Sequence, residues 1–324
     1  MPNRMKRVQL NNTDLELSLL GLGTMYFGSK VEEQMSFRLM DMYLEAGGNF
    51  LDSANKYASW IPGSSGGESE IVIGKWVKQR GIREKVLISS KVGFAYGQIP
   101  RSLRKEIIIS ECERSLKRLG TGTIDLFFAH AFDAMTPAEE SMEAFFRLKK
   151  SGKIRFAGAS NFPVRFLDQA VLVGERQGWE GFCCLQQRHT YLEPSLRADF
   201  GNQLVLTPDL TDYCRDHELG IMAYSPLLGG IYGRNDRELP PQYRSLDSEQ
   251  KLSRLETLSR KKDAGPNQLV LAWMLHSSPI VLPLITGSNE KQICENLDAA
   301  GITLTNEEMN FLNEPVVEPT TYDS

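Results

Sequence analysis

The feature of the sequence that most restricts its fold is a regular alternation of apolar stretches of strand length with stretches of helical period. The intervening segments place apolar residues three or four apart, as in the stripe of Ile108, Cys112, Ser115 and Leu119. Strands that alternate with helices form a parallel sheet covered by those helices. Eight strands favour closure into a barrel over an open, doubly wound sheet. The eight apolar runs lie at about 17–23, 49–54, 85–93, 124–131, 154–161, 182–189, 220–227 and 280–287.

The length of 324 residues fits either two domains or one α/β barrel. No linker rich in Pro, Gly or Ser divides the chain, so we predict a single (β/α)8 barrel domain over residues 1–324. An alternating segment predicts a short N-terminal β-hairpin at about 6–18, and a C-terminal tail is expected at about 313–324. Clusters of Gly, Pro and polar residues at 56–67 and 229–248 predict long loops at the carboxyl-terminal face of the barrel.

Composition restricts the partners of the protein. The formal net charge is −4 at pH 7 and no block of five like charges occurs, which argues against nucleic acid and anionic membranes as partners. No apolar run has membrane-spanning length, and the N-terminal segment lacks the apolar core of a secretion signal. We therefore expect a cytoplasmic protein that binds a small molecule, and the sequence leaves its oligomeric state open.

The five cysteines are scattered, without a CxxC pair or the histidine spacing of a zinc site. We therefore predict no metal site and expect most of the cysteines to be reduced residues of the core. The neighbouring Cys183 and Cys184 most simply place one side chain on each face of a strand.

Polar residues stand at the carboxyl-terminal ends of six predicted strands. In a barrel these ends meet at one mouth, where such folds carry their active sites. Each residue also has a structural interpretation, since Asp52 and Lys91 could form an ordinary surface pair and His130 could be a core histidine. In strand order the residues are Asp52, Lys91, His130, Ser160 with Asn161, Gln186, and Tyr224 with Ser225.

At this point the sequence resembles the aldo-keto reductase family over nearly its whole length. The resemblance is carried by an ordered set of motifs, which is far more specific than an isolated Asp and Tyr would be. It implies a (β/α)8 barrel and a nicotinamide-dependent enzyme that interconverts a carbonyl compound (an aldehyde, a ketone or a sugar) and an alcohol by hydride transfer. The motifs are "GLGT" (21–24), "LDSANKY" (51–57), "SSKVG" (89–93), "FFAHAFD" (127–133), "GKIRFAGASNF" (152–162), "AYSPLLGG" (223–230) and "ICENLDA" (293–299).

The resemblance implies a catalytic tetrad of Asp52, Tyr57, Lys91 and His130. Tyr57 is the implied general acid and base, activated by Lys91 and Asp52, and His130 orients the carbonyl group. A free tyrosine has a pKa near ~10, too high for a general acid at neutral pH. A cation ~4 Å away at an effective dielectric constant of ~20 contributes about 4 kcal/mol, so Lys91 alone could lower the pKa of Tyr57 by roughly 3. Burial of the phenol acts in the opposite direction, and Asp52, paired with Lys91, would keep the ammonium protonated and aimed.

The resemblance also implies a bound NADP or NAD. Tyr224 corresponds to the tyrosine that stacks on the nicotinamide, while Ser160, Asn161 and Gln186 correspond to residues that hydrogen-bond its carboxamide. No GxGxxG motif follows a strand, so a Rossmann site is not predicted. The segment along the pyrophosphate contains Ser225, Leu227 and Gly229, and the further predicted cofactor contacts are Gly23, Thr24, Met25, Asp52, Ser288, Gln292 and Asn296.

The choice between the two nucleotides depends on charge near the 2′-phosphate of NADP. Thr286 stands where the family often has a lysine, and Gln292 stands where arginine is common. Lys291 alone supplies positive charge in this part of the sequence. Because a phosphate favours charge-assisted hydrogen bonds, these replacements weaken the family's usual preference for NADP and leave NAD, or use of both, open.

The predicted substrate pocket is walled by Phe27, Trp60, Phe94 and Tyr96. Aromatic faces accept sugar rings and flat carbonyl compounds alike, and they are equally common as plain hydrophobic lining.

Two other functions are possible for a barrel with these residues. One is a regulatory subunit of the same fold that senses the dinucleotide, but such a subunit would not need an intact catalytic tetrad. An aldolase or isomerase with a Schiff base on Lys91 leaves the predicted nicotinamide contacts unexplained.

Overall fold

The predicted alternation of strands and helices is present in the computed structural model, which describes residues 5–234 and 236–315. The described chain begins with an antiparallel hairpin of β1 (Arg7–Gln9) and β2 (Glu16–Ser18). Within these described ranges, eight parallel strands then close into a barrel, as predicted. They are β3 (Gly21–Gly23), β4 (Phe50–Asp52), β5 (Leu87–Val92), β6 (Ile124–Ala129), β7 (Ile154–Ser160), β8 (Cys184–Arg188), β9 (Gly220–Tyr224) and β10 (Val281–Ile285).

Helices surround the barrel, and their apolar faces form the main core against it. The stripe of Ile108, Cys112, Ser115 and Leu119 is buried on α3, which confirms the predicted helix and its core-facing side. The helices are α1 (Glu33–Glu45), α2 (Glu68–Arg80), α3 (Lys105–Leu119), α4 (Ala138–Lys150), α5 (Val164–Gln177), α6 (Pro208–Asp216), α7 (Leu246–Lys262), α8 (Pro266–Leu275), α9 (Glu290–Asp298) and α10 (Asn306–Asn313).

The apolar run predicted as one strand at 17–23 is in fact two strands with different partners. Its first part belongs to β2 of the hairpin, and only its last three residues form β3 of the barrel. Leu17 is fully buried and packs with residues of the barrel interior such as Phe128 and Met222. Because both halves of the run are buried, hydrophobicity alone does not show where the chain changes partner.

The strand registers bring the polar strand ends to a common level. Gly23 pairs with Asp52, and Asp52 pairs with Ser89 on the next strand. On the opposite side Ser160 pairs with Gln186. The side chains predicted from the sequence therefore converge on the carboxyl-terminal mouth of the barrel.

Long connections follow β4 and β9 at this mouth, as predicted, before α2 begins at Glu68 and α7 at Leu246. Four cysteines are buried and Cys294 is exposed. The predicted tail begins where α10 ends, and residues 316–324 lie outside the described part of the chain. Over the residues that are described, no helix has the length and apolar character needed to span a membrane.

Candidate active site

Lys91 is the centre of the group formed by the predicted catalytic residues. Its side chain is fully buried at the end of β5. The Nζ atom donates to Asp52 Oδ2 at 2.6 Å, to the carbonyl oxygen of Ser53 at 2.7 Å and to the hydroxyl oxygen of Tyr57 at 3.0 Å. A lysine ammonium has three donors, so all of them are used here. The predicted contact between Lys91 and Tyr57 is therefore present.

The carboxylate of Asp52 accepts from three side chains on two strands, β5 and β8. In addition to Lys91, it accepts at Oδ1 from the Ser89 hydroxyl at 2.7 Å and from Gln186 Nε2 at 3.0 Å. Asp52 is 2% exposed, so these bonds replace the water that a carboxylate would otherwise bind. They also connect the predicted catalytic residues Asp52 and Lys91 to Gln186, one of the predicted cofactor residues.

The pKa of Tyr57 moves in the opposite direction from the prediction. Burial of the phenol and the negative charge of Asp52 raise the pKa of Tyr57 well above its ordinary value. The charge of Lys91 alone would lower this pKa, but Asp52 lies 2.6 Å from the ammonium and balances that charge. Tyr57 is thus a neutral phenol near pH 7.

The hydrogen of the Tyr57 hydroxyl is available to a substrate. The hydroxyl oxygen accepts from Lys91, and its nearest described acceptor is Asp52 Oδ2 at 3.5 Å, which is a long hydrogen bond. This geometry suits a proton donor, because the proton is not committed to a strong bond within the protein.

His130 lies beside Tyr57 as a neutral imidazole. Burial and the positive charges of Lys91 and Lys56 hold the pKa of His130 well below its ordinary value. The centres of the His130 and Tyr57 rings are 6.1 Å apart. The buried Nδ1 atom has no hydrogen-bond partner among the residues that the structure describes. A neutral imidazole keeps one N–H donor, so the ring can hydrogen-bond a carbonyl oxygen near Tyr57.

The residues predicted to hold the nicotinamide carboxamide also lie together. Asn161 has a left-handed backbone (φ 57°) and donates from Nδ2 to the His130 carbonyl oxygen at 2.9 Å. Its Oδ1 accepts from the Tyr224 hydroxyl at 2.7 Å. The Asn161 amide is therefore largely committed to protein contacts. Ser160 and Gln186 are buried beside it, and the Ser160 hydroxyl oxygen accepts from Asn161 Nδ2 at 3.1 Å.

The backbone after β9 fits a phosphate group. Ser225, Leu228, Gly229 and Gly230 all have positive φ angles, between 49° and 83°. Left-handed backbone of this kind forms concave nests of N–H groups that bind anions. The backbone N–H groups of Leu227 and Gly229 have no hydrogen-bond partner within the described residues. A side chain added at Gly229 would meet only the Arg237 guanidinium, at 3.5 Å.

The other predicted cofactor residues are less accessible to a ligand. Gly23 and Met25 are half-buried at the mouth, where β3 ends. Thr24 is fully buried; its hydroxyl donates to the Asp52 carbonyl oxygen at 2.8 Å and lies 2.6 Å from Ser69 Oγ, so its side chain is not available to a ligand.

On the opposite rim, the predicted residues bond to one another. Gln292 Oε1 accepts from the backbone N–H and the hydroxyl of Ser288, and Asn296 donates to the carbonyl oxygen of Thr286 at 3.0 Å.

Only part of the predicted substrate pocket lies at the site. Phe94 packs edge-on against His130 with ring centres 4.7 Å apart, and Trp60 lies 6.5 Å from Tyr57 and is 47% exposed. Phe27 is 1% exposed in the hydrophobic core and offers no surface to a substrate. Tyr96 is turned toward Glu111, to which its hydroxyl donates at 2.5 Å.

The sequence analysis missed residues that support the site. Gln187 is fully buried and accepts the Asn161 backbone N–H at 2.6 Å, which holds Asn161 in its left-handed conformation. Asn55 donates to Glu111 at 2.7 Å and anchors the loop that carries Tyr57. Lys56, next to Tyr57, was also missed, although a charged residue directly before the predicted proton donor was a visible signal.

Comparison with known proteins agrees with this geometry. The aldo/keto reductase family matches residues 19–315. An uncharacterized oxidoreductase, YrpG, from Bacillus subtilis is 33% identical over 327 residues, covering 96% of this chain and 95% of the relative. The putative aryl-alcohol dehydrogenase AAD16 of Saccharomyces cerevisiae is 28% identical, covering 96% of each chain.

A norsolorinic acid reductase from Aspergillus flavus is 26% identical and covers 95% of this chain and 80% of that relative. Among solved structures, the thermostable aldo-keto reductase Tm1743 in complex with the inhibitor epalrestat superposes with a TM-score of 0.76 at 27% identity, covering 95% of this chain and 99% of that one. The chain therefore belongs to the aldo/keto reductase family. Together with its oxidoreductase relatives, this makes it an oxidoreductase of carbonyl compounds and alcohols.

Proposed function

We propose that this protein reduces an aldehyde or ketone with a nicotinamide cofactor and that Tyr57 supplies the proton. The observation that carries the proposal is the contact of 3.0 Å between Lys91 Nζ and the Tyr57 hydroxyl, made by an ammonium that Asp52 holds at 2.6 Å. When bound, the cofactor supplies a hydride to the carbonyl carbon. The protein has to hold the carbonyl oxygen and deliver a proton to it.

Each side chain has a defined part in that delivery. The neutral imidazole of His130 donates a hydrogen bond that orients and polarises the carbonyl. Tyr57 gives its proton to the oxygen as the alkoxide develops, and Lys91 stabilises the phenolate that is left. Asp52 keeps the buried ammonium charged and aimed. The raised pKa of Tyr57 does not prevent this step, because an alkoxide is a far stronger base than a phenolate.

The residues present fit a dinucleotide. Ser160 and Gln186 would hold the carboxamide, Tyr224 would support the nicotinamide ring, and the segment from Ser225 to Gly230 would take the pyrophosphate. The left-handed backbone of that segment and its unpartnered N–H groups support this assignment.

Tyr57→Phe tests the proposed proton donor. We expect turnover of a simple aldehyde such as benzaldehyde to be lost, while NADH and NADPH still quench tryptophan fluorescence. Retained turnover would exclude Tyr57 as the donor. Cofactor binding without turnover of any aldehyde by the wild-type protein would instead favour the dinucleotide-sensing regulatory subunit.

The buried position of Lys91 argues against the Schiff-base alternative. All three of its donors are engaged and the side chain has no exposed surface, so the amine is not free to attack a carbonyl. Borohydride treatment in the presence of substrate should therefore leave Lys91 unmodified, which mass spectrometry can verify.

We propose further that the protein discriminates weakly between NADH and NADPH. Gln292 uses its Oε1 atom to hold Ser288, and Glu290 nearby carries a negative charge that is paired with Arg38 at 3.1 Å. Lys291 is the exposed cation of this segment. We expect dissociation constants within about tenfold of each other, since a strongly held phosphate needs charge-assisted bonds. A preference for NADPH above about 100-fold would overturn this interpretation.

A further inference from the structure

Lys56 directly precedes the proposed proton donor, and its half-buried side chain lies at the barrel mouth. Its Nζ atom is 4.7 Å from the centre of the Phe94 ring and 5.7 Å from the centre of the Trp60 ring. The ammonium thus contacts two aromatic rings, an arrangement in which each ring attracts the positive charge.

The same two rings flank the reaction centre. Phe94 packs against His130, and Trp60 packs against Tyr57. A substrate whose carbonyl oxygen contacts Tyr57 and His130 must therefore extend past these rings. Trp60 is 47% exposed, so the path beside it is open toward solvent.

Within the described part of the chain, the charge of Lys56 forms no salt bridge. The lysines that form salt bridges among the described residues are Lys75, Lys91, Lys105, Lys149, Lys153, Lys251 and Lys262, and Lys56 forms none. Burial lowers the pKa of Lys56, since the ammonium has lost part of its hydration.

The charge balance of the site is therefore positive. Asp52 and Lys91 cancel each other, and His130 is neutral, so Lys56 supplies the uncompensated charge beside the reaction centre. Its field reaches that centre, because it contributes to the lowered pKa of His130.

We propose that Lys56, Trp60 and Phe94 form an anion subsite that selects carbonyl substrates bearing a carboxylate on a flat, aromatic body. A carboxylate would replace the hydration that Lys56 has lost with a charge-assisted hydrogen bond. The flat body would pack on the two rings. This inference rests on the proposed reductase function and specifies its substrate class.

The test uses two aldehydes of the same shape and different charge, 4-carboxybenzaldehyde and 4-carbamoylbenzaldehyde. The measured quantity is the ratio of kcat/KM for the acid to kcat/KM for the amide. We expect a ratio of about 10 or more in the wild-type protein, and a ratio near one in Lys56→Met, which removes the charge without reversing it. Lys56→Glu should invert the preference toward the amide.

Lys150→Met is the matched control, since Lys150 lies 5.9 Å from the centre of the Phe146 ring at the end of α4, away from the site. This variant should keep the wild-type ratio. If Lys56→Met does not fold, the wild-type protein alone provides the readout, because benzoate should inhibit about tenfold more strongly than benzamide.

The two proposals fail in different ways. If the wild-type protein reduces both aldehydes with a ratio of kcat/KM near one, or is inhibited equally by benzoate and benzamide, the anion subsite is overturned and the reductase function stands. Reduction of neither aldehyde, or full activity of Tyr57→Phe, overturns the proposed function itself.

Discussion

The proton chemistry of single residues in this protein depends on pairs of charges rather than on isolated ones. Lys91 would acidify Tyr57 if it acted alone, but Asp52 lies closer to the ammonium than the phenol does. Burial adds to the effect of Asp52, and the pKa of Tyr57 rises. The ligand-free site is therefore set up to donate a proton, and it must first lose one before it can accept.

The direction of this shift predicts different pH profiles for the two reactions. Because the pKa of Tyr57 is raised, the phenol is protonated throughout the neutral range, and carbonyl reduction should be insensitive to pH from about 6 to 8. Alcohol oxidation needs the tyrosinate form, so its kcat/KM should increase with pH over the same range. Rates of both reactions across this range provide the check, and a reduction rate that falls between pH 6 and 8 would contradict it.

At the scale of elements, the loop between β4 and α2 is held by buried polar contacts beneath it. The Asn55 backbone N–H donates to the Lys91 carbonyl oxygen at 3.2 Å, and the Asn55 side chain donates to Glu111 on α3. Glu111 is fully buried and also accepts from Tyr96 at 2.5 Å and Arg114 at 3.0 Å. These contacts tie the loop that carries Tyr57 to the loop that carries Phe94.

Asn55→Ala should therefore affect both stability and chemistry. The variant removes one donor from a buried carboxylate, which costs about 1–3 kcal/mol of unfolding free energy. Because Tyr57 is two residues further along the loop, kcat should fall on the order of tenfold through misplacement of the hydroxyl.

Urea denaturation and kinetics at a temperature where the variant is folded measure the two effects separately. Asn306→Ala, at an exposed position of α10, is the control and should change neither quantity. A wild-type kcat in Asn55→Ala would show that the loop does not need this contact.

At the scale of the whole molecule, the hairpin and the mouth have separate roles at opposite ends of the barrel. Leu10, Leu15 and Leu17 of the hairpin region pack with inward-facing residues of the barrel strands. The polar side chains of the site occupy the other end of the same interior. Stability and chemistry are thereby assigned to different ends, as expected for a barrel of this type.

Leu17→Ala should test that separation. Leu17 is fully buried, so its truncation should cost about 2–5 kcal/mol, measured as the change in unfolding free energy in urea. The kcat of the folded variant should match that of the wild-type protein. Leu172→Ala, at a position that is 63% exposed, should change stability by less than about 0.5 kcal/mol. A large loss of kcat in Leu17→Ala would show that the two ends are coupled.

Much of the site was predictable because of where residues stand on strands. Asp52, Lys91 and His130 end three successive barrel strands, and parallel strands of one barrel bring their carboxyl ends together whatever the details of packing. By contrast, the division of the apolar segment 17–23 between β2 and β3 was not predictable, because both parts of the segment are apolar. Phe27 was misassigned for a similar reason, since an aromatic residue in a loop near the mouth can face the core or the pocket.

The sequence by itself determined the eight-stranded barrel and the set of polar residues at its mouth, because hydrophobic periodicity and a residue's place at a strand end depend on residues that are near each other in the chain. Only the tertiary structure decided the direction of the Tyr57 pKa shift, the engagement of every Lys91 donor and the unpaired charge of Lys56. These properties depend on burial and on distances of a few ångströms between residues that the fold brings together from distant parts of the chain, and such distances are not encoded in any local pattern.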